Sequence, residues 1–458
     1  MQEVELKTKI GEDHSLVQVV RSEIREMDSN GDASTGSAER MKQRVSWIVE
    51  IESNMKRYVQ VEQRPKIQKV PMTIREIESN KKCFDPMVIA IGPLHHGKPE
   101  LERMETFKIQ FALQYAHQSK KSMKELYDAV EKQAFDARNC YAKGSTDAFD
   151  DEKEFAKMMF LDSCFVLQFI YSCVNPAEDD VKMKINDKAF ILRDITLLEN
   201  QLPFEFLKAL MKLRFEGGEG EQMIDDFIRL IMEENAKPKG GEKEKEEPVH
   251  LLELVRTKFV DVDEITRGSC DSSSNWCSYR SVTELKSVGI NFKCSYSRRF
   301  SDITFKSGSF LSGYLRLPPI TIDDGTKSLL LNLVAWEACP DTPDDFGVSS
   351  YVYFMDTLID RAEDVKELRY NGVILNGLGS DEQAAELFNE IGRNLVSNPQ
   401  AFGKVKESIY GYYSSRPSLW LAEWVHTHFR SPWALIAFIA AIFVLCLTVA
   451  QTVLSALQ

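Results

Sequence analysis

Apolar residues recur at three- and four-residue spacing along most of this chain, which predicts a protein built mainly from helices. Val45, Ile48, Ile51, Met55 and Tyr58 form one stripe; Met104, Phe107, Phe111 and Tyr115 form another, inside a long helical pattern over 100–142. Phe155 to Tyr171 is apolar on nearly every side, as a central helix would be. Ile191 to Met211 reads similarly, with an interruption at Pro203. Helical patterns return at 249–260, Leu329 to Trp336, Tyr351 to Ile359, Glu382 to Leu395, Ala401 to Tyr413 and Leu419 to Phe429. Lys69 to Ile91 reads instead as extended segments broken by Pro71 and Pro86. The alternating runs GINFK, DITFK and YLRLPPITI predict a small antiparallel β element around 288–322. The expected fold class is therefore mainly α, with that small antiparallel β element and one C-terminal transmembrane helix.

The transmembrane expectation comes from a separate pattern. Trp433 to Ala450 reads WALIAFIAAIFVLCLTVA, 18 residues without a charge, and ten of them are Leu, Ile, Phe or Val. A helix from Trp433 to Leu454 would be roughly 33 Å long, close to the bilayer core of about 30 Å. Trp433, Leu435, Ile436, Phe438, Ile439, Ile442, Phe443, Val444, Leu445, Leu447 and Val449 would face lipid. Trp420, Trp424, Phe429 and Arg430 precede it as an interfacial belt. A buried core helix ordinarily carries more polar positions than this run, which has Thr448 alone before Gln451. The opening residues carry Glu3, Glu5, Lys7, Lys9, Glu12 and Asp13, which is not a secretory leader. The expectation is a single-pass C-terminal anchor with the bulk of the chain cytosolic, the plasma membrane being one candidate membrane.

Three regions follow: a disordered N-terminal arm at 1–44, an α-rich globular domain at 45–430 and the anchor at 431–458. A charged linker, KPKGGEKEKEEP at 237–248, interrupts the globular domain. The chain has 458 residues with 57 Lys and Arg against 70 Asp and Glu, a net charge of −13. That balance repels polyphosphate and argues against nucleic-acid binding. The nine cysteines include no C-x-x-C pair, so zinc-ribbon and thioredoxin chemistry are excluded. Scattered thiols suit a reducing compartment; Cys270 and Cys277 could bridge a loop in an oxidising one.

Candidate chemistry is sparse. Gly92-Pro-Leu-His-His-Gly97-Lys98 fits G-x-x-x-x-G-K after a strand-like run. A phosphate loop needs backbone N–H groups and a following hydroxyl for magnesium. Here Pro93 removes an N–H and Pro99 stands in the hydroxyl position, so Gly92, Gly97 and Lys98 are weak cofactor candidates and a turn ending a strand is favoured. His95 and His96 are weak metal candidates, because adjacent side chains point apart in extended chain. His426 and His428 fit interfacial packing better than a pH sensor. Asp179-Asp180, Asp323-Asp324 and Asp344-Asp345 read as surface turns or helix caps. Glu199-Asn200-Gln201 interrupts an apolar run and, if buried, must be hydrogen-bonded, which favours a structural polar network. No cofactor is expected and no catalytic residue is assigned.

Several blocks in order carry a resemblance. They are VPMTIREIESNKKCFDPMVIAIGPLHHGKPELERMETFK, FLDSCFVLQFI, LLENQLPFEFL, HLLELVR, SVTELKSVGINFK, LRLPPITIDDGTKSLLLNLVAWEAC, YVYFMDTLIDRAEDV, NGLGSDEQAAELFN and the SRPSLW to SPWALIAF anchor. Together these resemble the plant family called domain of unknown function 247 over roughly residues 45–458. The resemblance implies a mostly helical plant protein with a terminal membrane helix and supplies no catalytic residues. Some grass members of the family are associated with pollen-side self-incompatibility. The expected function is a membrane-tethered interaction or recognition component with an unknown protein partner, no nucleic acid and no identified small-molecule substrate. The alternatives are an enzyme of unrecognised type using the Gly92–Lys98 turn, or a regulator released from the membrane by proteolysis.

Overall fold

The computed structural model describes residues 67–178, 183–233, 247–266, 281–308, 312–414 and 432–456. The arm at 1–44, the stripe from Val45, Asp179-Asp180, most of the charged linker, Cys270, Cys277, His426, His428 and the belt of Trp420, Trp424, Phe429 and Arg430 lie outside them, as do the side chains of Trp433 and Leu435.

The first half is a bundle around one helix. The periodic stretch after residue 100 is divided into α1 (Glu102–Ser119) and α2 (Met123–Ala137). The break is chemical: Lys120 takes a left-handed conformation with φ 56°, and Ser122 and Glu125 form a reciprocal capping box that starts α2. Next comes α3 (Glu152–Val174), capped by the Asp151 carboxylate, which accepts the Lys153 N–H. Its buried residues include Phe155, Met159, Cys164, Phe165, Phe169 and Ile170, which face in every direction. Accordingly α1, α2, α5 (Phe204–Arg214) and α6 (Glu219–Ile231) all pack on it. Between α4 (Ile185–Ile195) and α5 the chain leaves the helix over Thr196–Leu202 and re-enters after Pro203, whose missing N–H is tolerated at a helix start.

The second half begins at α7 (Leu251–Phe259) and α8 (Val282–Ser287) and then builds the sheets. β1 (Ile290–Cys294), β2 (Thr304–Ser307) and β3 (Gly313–Leu317) form one sheet in the order β1-β3-β2. The sheet lies where the alternation predicted it but is mixed: β1 runs parallel to β3, with Ile290 opposite Gly313, while β2 runs antiparallel. Pro318 and Pro319 end the ladder, so the ITI run becomes a separate strand, β4 (Ile320–Ile322). α9 (Thr326–Glu337), α10 (Gly347–Leu358) and α11 (Ala362–Tyr370) precede β5 (Ile374–Asn376), which pairs in parallel with β4. α12 (Asp381–Ile391), α13 (Gly403–Ser414) and α14 (Pro432–Ala456) follow among the described residues. One apolar core runs through both halves, from Ile67 to Ile409, so the charged linker marks an insertion and not a division of the core.

Candidate functional site

The run from Met87 to Gly92 is neither helix nor strand; the chain bends at Met87, Val88 and Gly92 and joins no sheet. Its backbone donors go instead to side chains on α3, α4 and the segment after α4. Asp194 accepts the N–H groups of Met87 (2.9 Å), Val88 (2.8 Å) and Ile89 (3.1 Å). Burial pushes the Asp194 carboxyl up, opposed by those N–H groups and by Arg193. The Asn200 side chain accepts the Ile91 N–H at 2.7 Å and donates to the carbonyls of Ile89 and Asp194. Asp162, in the middle of α3, accepts the Gly92 N–H at 2.8 Å. Buried backbone donors need such partners, and here carboxylates and an amide take the place of a neighbouring strand.

The three polar residues that interrupt the apolar run after α4 are thus buried and paired, as a structural network requires. Glu199 accepts the Val70 N–H (2.8 Å) and the Arg75 guanidinium (3.1 Å). Burial would raise the Glu199 pKa, but the nearby His95 imidazole, Arg75 and the Val70 N–H outweigh it and hold the carboxyl below its ordinary value. Gln201 donates to the carbonyls of Ile195 and Leu197 and accepts the Leu252 N–H at 3.0 Å. Its own carbonyl accepts the Tyr141 hydroxyl at 3.0 Å.

The Gly92–Lys98 turn sits on this network. Gly92 (φ 74°) and Gly97 (φ 78°) both take the left-handed conformation that glycine tolerates. Their environments differ: a Cβ on Gly92 would meet the Gln201 carbonyl oxygen at 2.7 Å, while one on Gly97 would meet nothing within 4 Å. The Gly92 amide, which a phosphate would need, is held by the Asp162 carboxylate. Lys98 Nζ lies 3.9 Å from the Asp85 carboxylate. His95 is buried with Nε2 3.5 Å from Glu199, whereas His96 is exposed with its ring 5.1 Å from that of Phe149. The two imidazoles therefore occupy different environments. Among the described residues no group of three or more His, Cys, Asp and Glu is placed to hold a metal ion.

Sequence reading missed the charges that anchor this arrangement. Lys108 on α1 has no exposed surface and pairs with Asp162 (2.5 Å) and Glu105 (2.7 Å). Burial works against the Lys108 ammonium, yet the two carboxylates outweigh it and hold its pKa up. A second buried centre joins α7 to α10: Arg256 bonds Glu337 (2.8 Å) and Asp345, and Glu337 accepts the Val348 and Ser349 N–H groups at the start of α10 (both 2.8 Å). The signal in both cases was an acid within an apolar run, FLDSC and AWEAC.

Two further features are open. A cleft of about 720 Å³ lies between α4, α6, β4 and the start of α9. Phe259, Phe300, Ile320 and Leu330 form part of its apolar lining, and Arg298, Glu233 and Thr321 stand among its polar residues. Among the described residues, two helices are long and apolar enough to cross a membrane. α3 is mostly buried within the fold, whereas none of Ile436–Val453 in α14 is buried.

Comparison with known proteins places the whole arrangement. The UPF0481 protein At3g47200 of Arabidopsis thaliana is 27% identical over 413 residues, covering 83% of this chain and 84% of the relative. The putative UPF0481 protein At3g02645, also of Arabidopsis thaliana, is 23% identical over 510 residues, covering 88% and 93% respectively. No solved structure matches the chain. The family DUF247, described as a plant protein of unknown function, matches residues 67–447, which includes the Gly92 turn, both buried charge centres, the cleft and most of α14. The chain belongs to this plant family, DUF247.

Proposed function

We propose that this protein is tethered to a membrane by α14 and that its acidic helical body works by protein contact without catalysis. The observation that carries the reading is the exposure of α14. Ile439, Phe443, Val444, Leu445 and Val449 are each 58–65% exposed along a helix with no Asp, Glu, Lys or Arg between Pro432 and Ala456. Its 25 residues extend about 37 Å, enough to span a hydrocarbon core of about 30 Å. Such a surface has a large free-energy gain from lipid and a penalty in water.

The non-catalytic part of the reading rests on how the buried polar groups are spent. Asp162, Asp194, Asn200, Gln201 and Glu337 each hold backbone donors or acceptors in place. A catalytic group needs a free face toward a reacting atom. Nucleotide-dependent thermal stabilisation abolished by Lys98→Ala would favour the enzyme alternative.

The reading places the body in the cytosol. Cys83, Cys164, Cys294, Cys339 and Cys446 are free thiols, which suits a reducing compartment, and the chain has no N-x-S/T sequon. The test inserts glycosylation acceptors after Gln458 and within 267–280 of the full chain and expresses it with microsomes. Modification of the C-terminal acceptor alone is expected; modification of the loop acceptor would reverse the topology, and modification of neither, with extraction at alkaline pH, would remove the membrane from the account.

A further inference from the structure

The cleft beside β4 carries a feature that its apolar lining does not explain. Glu233, two residues beyond the end of α6, turns one carboxylate oxygen, Oε2, toward both Arg298 Nη1 (3.2 Å) and the Thr321 hydroxyl, which donates to it. The Arg298 side chain is only 18% exposed, but that of Glu233 is 50% exposed. Glu233 also has φ 51°, a left-handed conformation that is unfavourable for a residue with a side chain. A largely desolvated cation and a hydroxyl thus converge on one point at the cleft, and a half-exposed, strained residue of the chain itself supplies the carboxylate that fills it.

Of the other charged residues of the cleft, Arg193 and Asp323 are committed and Asp324 is exposed. Arg193 donates to the carbonyls of Lys82 and Asp85 and to the Asp194 carboxylate. Asp323 accepts the Gly325 and Thr326 N–H groups at the start of α9. Beside this polar point the cleft offers open apolar surface: Leu230 is 52% exposed and Phe190 is 38% exposed, and Phe259 and Phe300 also line it. Its volume of about 720 Å³ lies within the ordinary range for small-molecule sites.

We propose that this cleft binds a small amphipathic carboxylate, whose apolar body lies on the Phe190–Leu230 side and whose carboxylate replaces that of Glu233 on Arg298 and Thr321. The exchange conserves the charge-assisted hydrogen bonds to Arg298, releases Glu233 to solvent and covers apolar surface. Glu233 is half-exposed and regains water when it leaves, so opening its pair with Arg298 costs little, while the incoming carboxylate keeps the largely desolvated Arg298 paired and its apolar body covers the cleft. The same arrangement selects against an alcohol, which lacks the charge, and against an alkylammonium, which would meet Arg298.

Octanoate is a suitable probe. Equilibrium dialysis of radiolabelled octanoate against the full chain in lipid nanodiscs, with empty discs subtracted, is expected to show saturable binding of one molecule per chain. Arg298→Gln is expected to weaken it about tenfold or more, the ordinary effect of losing a charge-assisted hydrogen bond. Glu233→Gln is expected to tighten it, because the competing carboxylate is gone. Octan-1-ol is expected to compete poorly against wild type. The proposal is overturned if octanoate shows no saturable binding above empty discs, if the two substitutions shift affinity in the same direction, or if octan-1-ol or octylammonium competes as well as unlabelled octanoate. Should Arg298→Gln fail to fold, Glu233→Gln decides alone, and an affinity equal to or weaker than wild type overturns the proposal. None of these measurements depends on the topology of α14.

Discussion

Ile442→Arg places one charge near the middle of α14. Ile442 stands about 15 Å along the helix from Pro432 and about 21 Å from Ala456, close to the midplane of a spanning helix. Ten large apolar residues between Ile436 and Val453 are at least 42% exposed. At about −0.3 to −0.6 kcal/mol each, fewer near the ends, they favour insertion by about 3–6 kcal/mol together. Arginine at the centre costs about 2.5–3.5 kcal/mol and also forfeits the isoleucine contribution, so the change is about 3–4 kcal/mol. That is comparable with the whole apolar gain and lowers the insertion equilibrium by at least about a hundredfold. The assay is recovery of the full chain in the membrane pellet after alkaline carbonate extraction, with Ile442→Val as a control that should stay in the pellet. The substitution lies far along the sequence from Ile409, the last buried core residue among the described residues, so thermal unfolding of the body should be unchanged. Recovery of Ile442→Arg equal to wild type would refute the reasoning.

Gly92→Ala should destabilise the body by about 2–3 kcal/mol, since its Cβ meets a carbonyl oxygen and its φ is strained; Gly97→Ala, with the same strain and open space, should cost about 1 kcal/mol, and urea unfolding compares the two. Lys108→Met strands a buried carboxylate and should cost about 3–5 kcal/mol; adding Asp162→Asn, which keeps an acceptor for the Gly92 N–H, should recover a large part of the loss in the same assay. Asp356 provides a pH test. Burial, and then Asp360, push its carboxyl from 3.8 up to about 6 in the folded state. A raised acid pKa means that the folded state binds the proton more tightly, so the stability it adds at low pH is lost as pH rises from about 4 through about 6. Asp356→Asn should therefore gain in melting temperature relative to wild type as pH is raised across that window, and a constant difference between pH 4 and pH 7 would contradict the assignment.

Most helices were legible because their stripes are unbroken. The all-round apolar run Phe155 to Tyr171 became the central helix, and 191–211 divided around Pro203 as that residue predicts. The division of α1 from α2 was written in the Ser122–Glu125 pair but is masked by the continuing apolar stripe. The sheet was legible as alternation, but alternation does not encode strand direction: β1 runs parallel to β3 on one edge while β2 runs antiparallel on the other. β5, three residues long, has too little pattern to be read at all.

The candidate chemistry was legible only in part. The polar interruption at Glu199-Asn200-Gln201 implied bonded burial, and the bonds are there. Its partners came from chain more than 100 residues away, at Val70, Arg75 and Ile91, which no local pattern shows. The strand-like run Met87 to Ile91 looked like the strand of a nucleotide fold because an apolar run reads alike whether its donors meet a neighbouring strand or a carboxylate. The Arg298–Glu233–Thr321 convergence joins residues from three separate segments and left no trace in the sequence.

The central claim is that α14 holds the body to a lipid surface. Flotation through a density gradient compares the full chain with one ending before Pro432, each mixed with liposomes during cell-free synthesis. The account predicts that the full chain floats with lipid and that the shortened chain stays at the bottom as a soluble, folded monomer without detergent. A full chain that remains soluble and monomeric, or a shortened chain that still floats, would contradict it.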